Sequence, residues 1–372
     1  MPVTTTSTQL TLSNEAYVSE AFFRRECEKV FRCSWMLVGL VKEFAQPGHV
    51  HPLTVGGVPV LLVTGTDGVI RGFQNVCRHR GALLAFEPAD GCRALTCPYH
   101  HWSYDLTGGL LTRPHYFGSD HHDTTPGPDA PGLIPVAVDS WHHWVFVNVD
   151  ASAGPLSAHV RVAERLLEGY RVDELCLLDT LEFDVPANWK LALENFWEPN
   201  HSFSLHPQLM QAGTSANRSA VEYEENVIHG AIDYETDVDP DQLPGGDTPA
   251  QQGDPQKVNR SAWTMLFPNV CLTFFPGNLG VIEVQPLSAD RTFERLHVYA
   301  TEDVANEPEL TQARQQIIDL WALTNQQDMD ALRWTQMGRC CPGFDGGALS
   351  PYWDGAVSAF AELLTTRLNT ND

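Results

Sequence analysis

Apolar positions fall into three textures along the chain. Residues 15–33 (EAYVSEAFFRRECEKVFRC) place Tyr17, Phe22, Phe23, Val30 and Phe31 at helical spacing, which predicts a helix. From Trp35 to about Val149 the period shortens. Runs such as LTVGGVPVLLVTG, VIRGFQNV and HWVFVNV are punctuated by Gly, Pro and Asp, which predicts an all-β module ending at VFVNVD. Residues 155–178 return to helical spacing and CLLDTLEFDVP reads as a strand. Residues 186–210 carry a helical stretch with polar residues in unusual places. Residues 233–260 are acidic, rich in Pro and Gly, and nearly free of apolar groups, which predicts a long loop or lid. Strand-like runs follow in TMLFPNVCLTFFP, LGVIEVQPL and TFERLHVYA. A long helix is expected over roughly 307–338, and YWDGAVSAFAELLTTRL reads as a last amphipathic helix. No internal repeat is visible. The pattern predicts a β-rich insert, about 35–150, set in an α+β domain.

Composition narrows the function. The chain has 372 residues with 23 Lys+Arg against 47 Asp+Glu, a formal charge of −24. A surface that acidic repels phosphate backbones and anionic lipid, so nucleic-acid and membrane-surface binding are not expected. It favours a cationic partner or substrate. No apolar run approaches the roughly 18 residues of a membrane span. Met1–Ser13 is rich in Thr and Ser and lacks a basic flank before an apolar block, so no signal peptide is expected. The expectation is a soluble cytoplasmic protein. Nine cysteines, an odd number in a large chain of this kind, argue against a disulfide framework and for metal or buried-thiol roles.

Two His-rich regions carry candidate chemistry. The first reads Cys77-Arg-His79, then residues 80–96, then Cys97-Pro-Tyr-His100-His101-Trp102. Each half is a tight turn able to aim one thiolate and one imidazole at a shared centre. Two Cys and two His suit tetrahedral zinc. They also suit a Rieske [2Fe–2S] cluster, in which two Cys hold one iron and two His the other. His101 is not needed, because Cys97 and His100 already satisfy the spacing. Cys92 has no His three residues on and reads as structural. The second region is Glu194-Asn-Phe-Trp-Glu198-Pro-Asn-His201-Ser-Phe-Ser-Leu-His206-Pro207. Five residues at about 100° each would leave His201 and His206 roughly 140° apart on a regular helix. They can share a metal only if the turn widens to i→i+5 or the helix ends between them. Pro207 supports a disturbance or an end there.

The runs CRHRGA, CPYHHWSYDLTGGL and NWKLALENFWEPNHSFSLHP closely resemble Rieske-type oxygenases. One departure is visible: that family usually has Gly where His101 stands. The resemblance covers about residues 15–370 and implies an α+β fold. An all-β Rieske domain (35–155) would be inserted in a helix-grip, START-like catalytic domain with an antiparallel sheet, formed by residues 1–34 and 156–372. It implies a [2Fe–2S] cluster on Cys77, His79, Cys97 and His100. It also implies a mononuclear Fe(II) on His201, His206 and a carboxylate of the last long helix. The family places that Asp eight residues before a Gln, which Asp328 and Gln336 satisfy; Asp330 is the competitor. Gln327 stands where relatives often have Glu. Glu198 reads by itself as a surface carboxylate or helix cap. In the family an acidic residue here bridges a Rieske His of a neighbouring subunit and the first iron-ligand His, which implies the path His100, Glu198, His201 and a homotrimer.

LFPNVCLTFFP, VIEVQPLSADRT and LSPYWDGAVSAF are similar to relatives acting on choline, glycine betaine, carnitine or stachydrine. Trp197, Phe203, Trp263, Phe267, Phe274 and Phe275 are candidates for a cation–π cage around a trimethylammonium group. The implied activity is oxidation of a small substrate by O2. A separate NAD(P)H-dependent reductase carrying flavin and iron–sulfur centres would supply the electrons. Two alternatives stand beside it: an oxygenase of aromatic or natural-product substrates, and an electron-transfer or binding protein without catalysis.

Overall fold

The computed structural model describes residues 11–151, 153–210, 217–218, 221–233 and 260–369. The chain forms two compact units, one from residues up to Arg25 together with His159 onward, the other Glu26–Ala158. The second unit is thus an insertion in the first along the chain.

The inserted unit is built on β-strands. Its six-stranded antiparallel sheet runs in the order Met36–Leu40, Trp144–Asn148, Pro135–Trp141, Ile70–Gln74, Val58–Thr64, Val50–Val55. A small sheet of Leu95–Thr96, Ser103–Tyr104 and Leu110–Thr112 accompanies it. The apolar cluster of this unit includes Val50, Leu61, Val63, Phe73, Trp102 and Tyr104, and it also holds Cys77 and Cys97. Both cysteines therefore sit where thiols are screened from water.

The other unit joins helices to an antiparallel sheet of eight strands among the described residues. Its order is Cys176–Val185, Arg291–Ala300, Asn278–Ser288, Val270–Phe275, Arg260–Leu266, Val227–Asp233, Asn217–Arg218, with Glu222–Glu224 also paired to Val227–Asp233. The helix Trp189–Trp197 lies against the strands Asn278–Ser288 and Arg291–Ala300. The long helix Thr311–Arg339 packs on Cys176–Val185 and on Trp189–Trp197, and the C-terminal helix Gly355–Asn369 packs on Trp189–Trp197 as well. Trp189, at the start of its helix, stands edge-on to Phe360 of the C-terminal helix at 5.6 Å between centroids. Among the described residues no helix is long and apolar enough to cross a membrane.

Two local expectations are revised, and a third falls outside the described residues. The helix expected over 15–33 is broken. It runs Glu15–Val18, leaves helical geometry at Ser19 (φ −94°, ψ 119°), resumes over Glu20–Glu26 and ends in a wide turn, Cys27–Phe31. The apolar spacing survives the break, so Tyr17, Phe23, Val30 and Phe31 are all buried. The run TMLFPNVCLTFFP is not one strand but two, reversed at Phe267–Asn269 across a cis Phe267–Pro268 bond. The loop expected at 233–260 lies outside the described residues except for its ends, Asp233 and Arg260, which pair in register and by an ion pair of 2.5 Å.

Candidate active site

In the inserted unit, the two Cys-His turns are closed by their own backbones. Gly81 N–H donates to the Cys77 carbonyl (3.0 Å) and Cys77 N–H to Ala82 (2.8 Å); His101 N–H donates to Cys97 (3.0 Å) and Cys97 N–H to Trp102 (2.8 Å). These bonds bring the two imidazoles together and the two thiols together. The rings of His79 and His100 meet at 4.6 Å, and His79 stacks on Trp102 at 4.8 Å with a 6° interplanar angle. The thiols of Cys77 and Cys97 are buried, while His79 is exposed and His100 half-buried. The Tyr104 hydroxyl accepts from Arg78 N–H (3.0 Å) and donates to Cys77 Sγ (3.4 Å). Burial pushes the Cys77 thiol above its ordinary pKa, with the Tyr104 hydrogen bond pulling the other way. Metal coordination would resolve that cost, because a bound thiol is deprotonated outright. His100 Nδ1 is buried with no hydrogen-bond partner, as an imidazole nitrogen reserved for a metal would be. His101 explains its own departure. It sits at φ +56°, in the left-handed region where glycine is the low-cost residue.

In the other unit, Asn188 caps the site helix. Its side chain accepts from Lys190 N–H at 3.0 Å and donates to the Ala289 carbonyl at 2.7 Å. The helix ends at Trp197, and Glu198 (φ −95°, ψ 97°) caps the short 3₁₀ turn Pro199–His201. Ser202–Leu205 then makes one α turn. His206 leaves helical geometry at φ −120°, ψ 60°, because Pro207 disfavours the helical region for the residue before it. The H-x4-H pair is therefore joined by a helix that stops at the second His rather than by a widened turn. The rings of His201 and His206 meet at 5.1 Å.

Opposite them stands Asp328, on the long helix. Its Oδ1 is 3.1 Å from His206 Nε2 and 3.7 Å from His201 Nε2. One ligand atom from each of the three residues lies within 4.8 Å of the others. His206 Nε2 and Asp328 Oδ1 are buried without a hydrogen-bond partner. Both Nδ1 atoms are engaged. His201 Nδ1 faces Glu198 Oε2 at 3.2 Å, and His206 Nδ1 donates to Gln327 Oε1 at 2.8 Å, which also accepts from Gln208 Nε2. A partner on Nδ1 fixes the tautomer that leaves Nε2 free for a metal. The donor set fits a divalent transition metal in facial 2-His-1-carboxylate geometry. Asp330 faces away, exposed and paired with Arg333 at 3.2 Å. Burial works to raise the Glu198 carboxyl, but hydrogen bonds and charge from His201 outweigh it and hold it below the ordinary value. Burial likewise opposes protonation of His206, and Asp328 and Gln327 reverse the balance and raise it.

His201, His206 and Asp328 line a cavity of about 410 Å³. Of the six aromatic candidates, Trp197, Phe203, Trp263 and Phe275 line it. Phe267 and Phe274 do not. They belong to the core, Phe267 beside Phe360 and Phe274 against Tyr170 at 4.1 Å between centroids. The sequence reading missed Phe196, Trp321, Tyr352 and Trp353, which complete the aromatic lining. Trp321 was legible, standing seven residues, two helical turns, before Asp328 and so on the same face. Also missed was Glu294, a buried carboxyl in the cavity wall that burial and the nearby Asp328 push up to about 7.

Residues 171–370 match the family model of the ring-hydroxylating alpha subunit (catalytic domain). The chain belongs to this family. Residues 34–117 match the Rieske [2Fe–2S] domain, so this alpha subunit carries a Rieske domain ahead of its catalytic one. The alpha subunit is 29% identical over 195 residues to the glycine betaine monooxygenase oxygenase subunit of Pseudomonas aeruginosa, covering 52% of this chain and 44% of the relative. It is 33% identical over 194 residues to the carnitine monooxygenase oxygenase subunit of Acinetobacter pittii, covering 51% of each. The chain thus spans about half the length of the curated relatives it matches. The fold matches that of the quaternary ammonium Rieske monooxygenase CntA in complex with its substrate gamma-butyrobetaine. The TM-score is 0.74 and the identity 24%, over 96% of this chain and 94% of the other.

Proposed function

We propose that this chain is the oxygenase component of a multicomponent Rieske oxygenase, acting in the cytoplasm on a small N-methylated ammonium substrate. The observation that carries the reading is the trio His201, His206 and Asp328, with two orphaned ligand atoms, on the wall of an aromatic cavity. Cys77, His79, Cys97 and His100 would hold a [2Fe–2S] cluster, and His201, His206 and Asp328 a mononuclear iron. When bound, these centres supply electron storage and O2 activation beside the substrate. The electrons come from a separate NAD(P)H-dependent reductase with flavin and iron–sulfur centres.

The chain's own residues supply position and dryness. Gln327 holds the proton on His206 Nδ1 and so keeps Nε2 a ligand. Glu198 does the same for His201, and its second role is to receive His100 of a neighbouring copy in a ring of three. A carboxylate between two imidazoles couples the centres by hydrogen bonds alone. The apolar walls exclude water and seat the methylated nitrogen against ring faces, where a cation gains about 0.5–2 kcal/mol. An N-methyl carbon placed toward the trio would be the one oxidised, and the hydroxylated product would collapse to amine and aldehyde.

The test is metal content with spectroscopy. Anaerobically purified protein should hold about three irons and two acid-labile sulfides per chain, with a Rieske-type reduced EPR signal. His206→Ala should lose about one iron and all turnover while keeping both sulfides and the cluster spectrum. Zinc without sulfide would remove the oxygenase reading. Two irons with two sulfides, unimproved by added Fe(II), would favour the electron-transfer alternative. Turnover of arenes in preference to ammonium compounds would favour the aromatic one.

A further inference from the structure

Two buried glutamates stand on the adjacent strands Asn278–Ser288 and Arg291–Ala300, and they are treated oppositely. Glu283 is fully buried but compensated, with Arg295 at 3.5 Å, His297 at 3.4 Å and Gln285 donating to it. Glu294 is 6% exposed and has no hydrogen bond or ion pair among the described residues. It is also outside the group of three that can share a metal. An uncompensated carboxylate removed from water costs several kcal/mol, a cost that a cationic partner would relieve.

The cavity shows where that partner would come from. Strand register puts Trp263 opposite Thr273, and Glu294 opposite Val284, two pairs along from Ile282 and Leu296 and so on their face. Trp263, Thr273, Ile282 and Glu294 all line the cavity, so Glu294 shares a face of the sheet with the aromatic wall. Phe275 bridges this wall, 6.2 Å from Trp263 and 5.3 Å from Trp321 between ring centroids. Among the described residues no Lys or Arg lines the cavity. The pocket offers a cation both ring faces and an unpaired carboxyl group. It offers a carboxylate only repulsion from Glu294, with no cationic side chain among the described residues to receive it.

We propose that Glu294 is the anionic contact for the substrate's ammonium group, and that the cavity selects a net cation, such as an N-methylated amino alcohol or alkylamine, over a carboxylate-bearing zwitterion. This rests on the oxygenase reading above and sharpens its substrate class. It also separates this chain from the relatives whose names specify glycine betaine and carnitine.

Binding to the iron-loaded protein under anaerobic conditions tests it, read by quenching of the cavity tryptophans. Three probes of similar bulk are used: choline, glycine betaine and the neutral isostere 3,3-dimethyl-1-butanol. Wild-type protein should bind choline about tenfold or more tighter than either other probe. In Glu294→Gln, choline should weaken about tenfold while the neutral isostere holds or tightens, which also shows the cavity intact. Glycine betaine within about threefold of choline on wild type would overturn the proposal. So would an unchanged choline affinity in Glu294→Gln. Should that variant fail to fold, the wild-type ranking alone decides. Those two outcomes leave the ammonium reading standing and remove only Glu294. Binding of the neutral isostere but of neither ammonium probe would remove both.

Discussion

The Gln336 side chain ties three segments together, and replacing it gives a prediction whose size follows from geometry. Its Oε1 accepts from Asn188 N–H at 2.9 Å, and its Nε2 donates to the Tyr17 carbonyl at 3.0 Å, all buried. Asn188 caps the helix that leads to Glu198, and Gln336 lies on the helix that carries Asp328. Gln336→Leu keeps the volume, so cavity formation adds little. It leaves the buried Asn188 N–H unsatisfied, at about 1–3 kcal/mol, and takes a donor from the Tyr17 carbonyl at up to a similar cost, offset in part by burying an apolar side chain in place of an amide. The net loss should be about 2–4 kcal/mol. For a unit of more than 200 residues this lowers Tm by about 5–15 °C in calorimetry of the metal-loaded protein. Iron affinity at the mononuclear site should fall with it, because the cap and the Asp328 helix lose a common anchor. Asp330→Asn, which removes an exposed ion pair on the same helix, should cost less than about 0.5 kcal/mol. A Gln336→Leu variant melting within about 1 °C of wild type would refute the reasoning.

Gly280 lies under Trp321: a Cβ there would stand 2.5 Å from the indole ring. Gly280→Ala should destabilise by about 1–3 kcal/mol and displace a cavity wall, seen as a changed tryptophan emission and weaker probe binding. Glu198→Gln should keep both metal counts while slowing iron reduction in stopped-flow single turnover; normal coupling would remove its bridging role. His159 accepts from Asn226 Nδ2 (3.1 Å at Nδ1), and burial, with Arg367 acting the same way, lowers its pKa to about 4. The unfolded chain then binds a proton near pH 6.5 that the folded one refuses. The contribution is therefore full above about pH 6.5 and is lost toward pH 4, by up to about 3 kcal/mol. His159→Asn should flatten that limb of the stability curve against wild type, and parallel curves would contradict the assignment.

The fold was legible wherever a period was long enough to read. Alternation with Gly and Pro punctuation marked the inserted β unit, and helical spacing marked Thr311–Arg339. The helix break at Ser19 was not legible, because both halves keep the same apolar stripe and nothing local forbids continuation. The Cys-His turns could be read as a metal site from ligand type and spacing. What they could not show is that the thiols would enter an apolar cluster while His79 stays exposed. For His201 and His206, spacing left two geometries open; Pro207 was the residue that decided between them, and its effect is local enough to have been used alone.

The aromatic candidates show where a local rule should have been pressed harder. Phe274 and Phe275 are neighbours on one strand, so their side chains must point to opposite faces. Only one can face the cavity, and pairing of Trp263 with Thr273 puts it on the face of 273 and 275. The same period-two argument places Glu294 between Thr292 and Leu296 on a face that is otherwise core. A lone acid in that row contradicts the burial that its neighbours demand. Folding alone would have removed it, since an apolar residue there costs nothing to bury. Its retention on the cavity wall, with no partner among the described residues, is the kind of local violation that marks a ligand contact. The strand TFERLHVYA already puts Glu294 in one row with Leu296 and Val298; its place on the cavity wall and its lack of a partner came only from the structure.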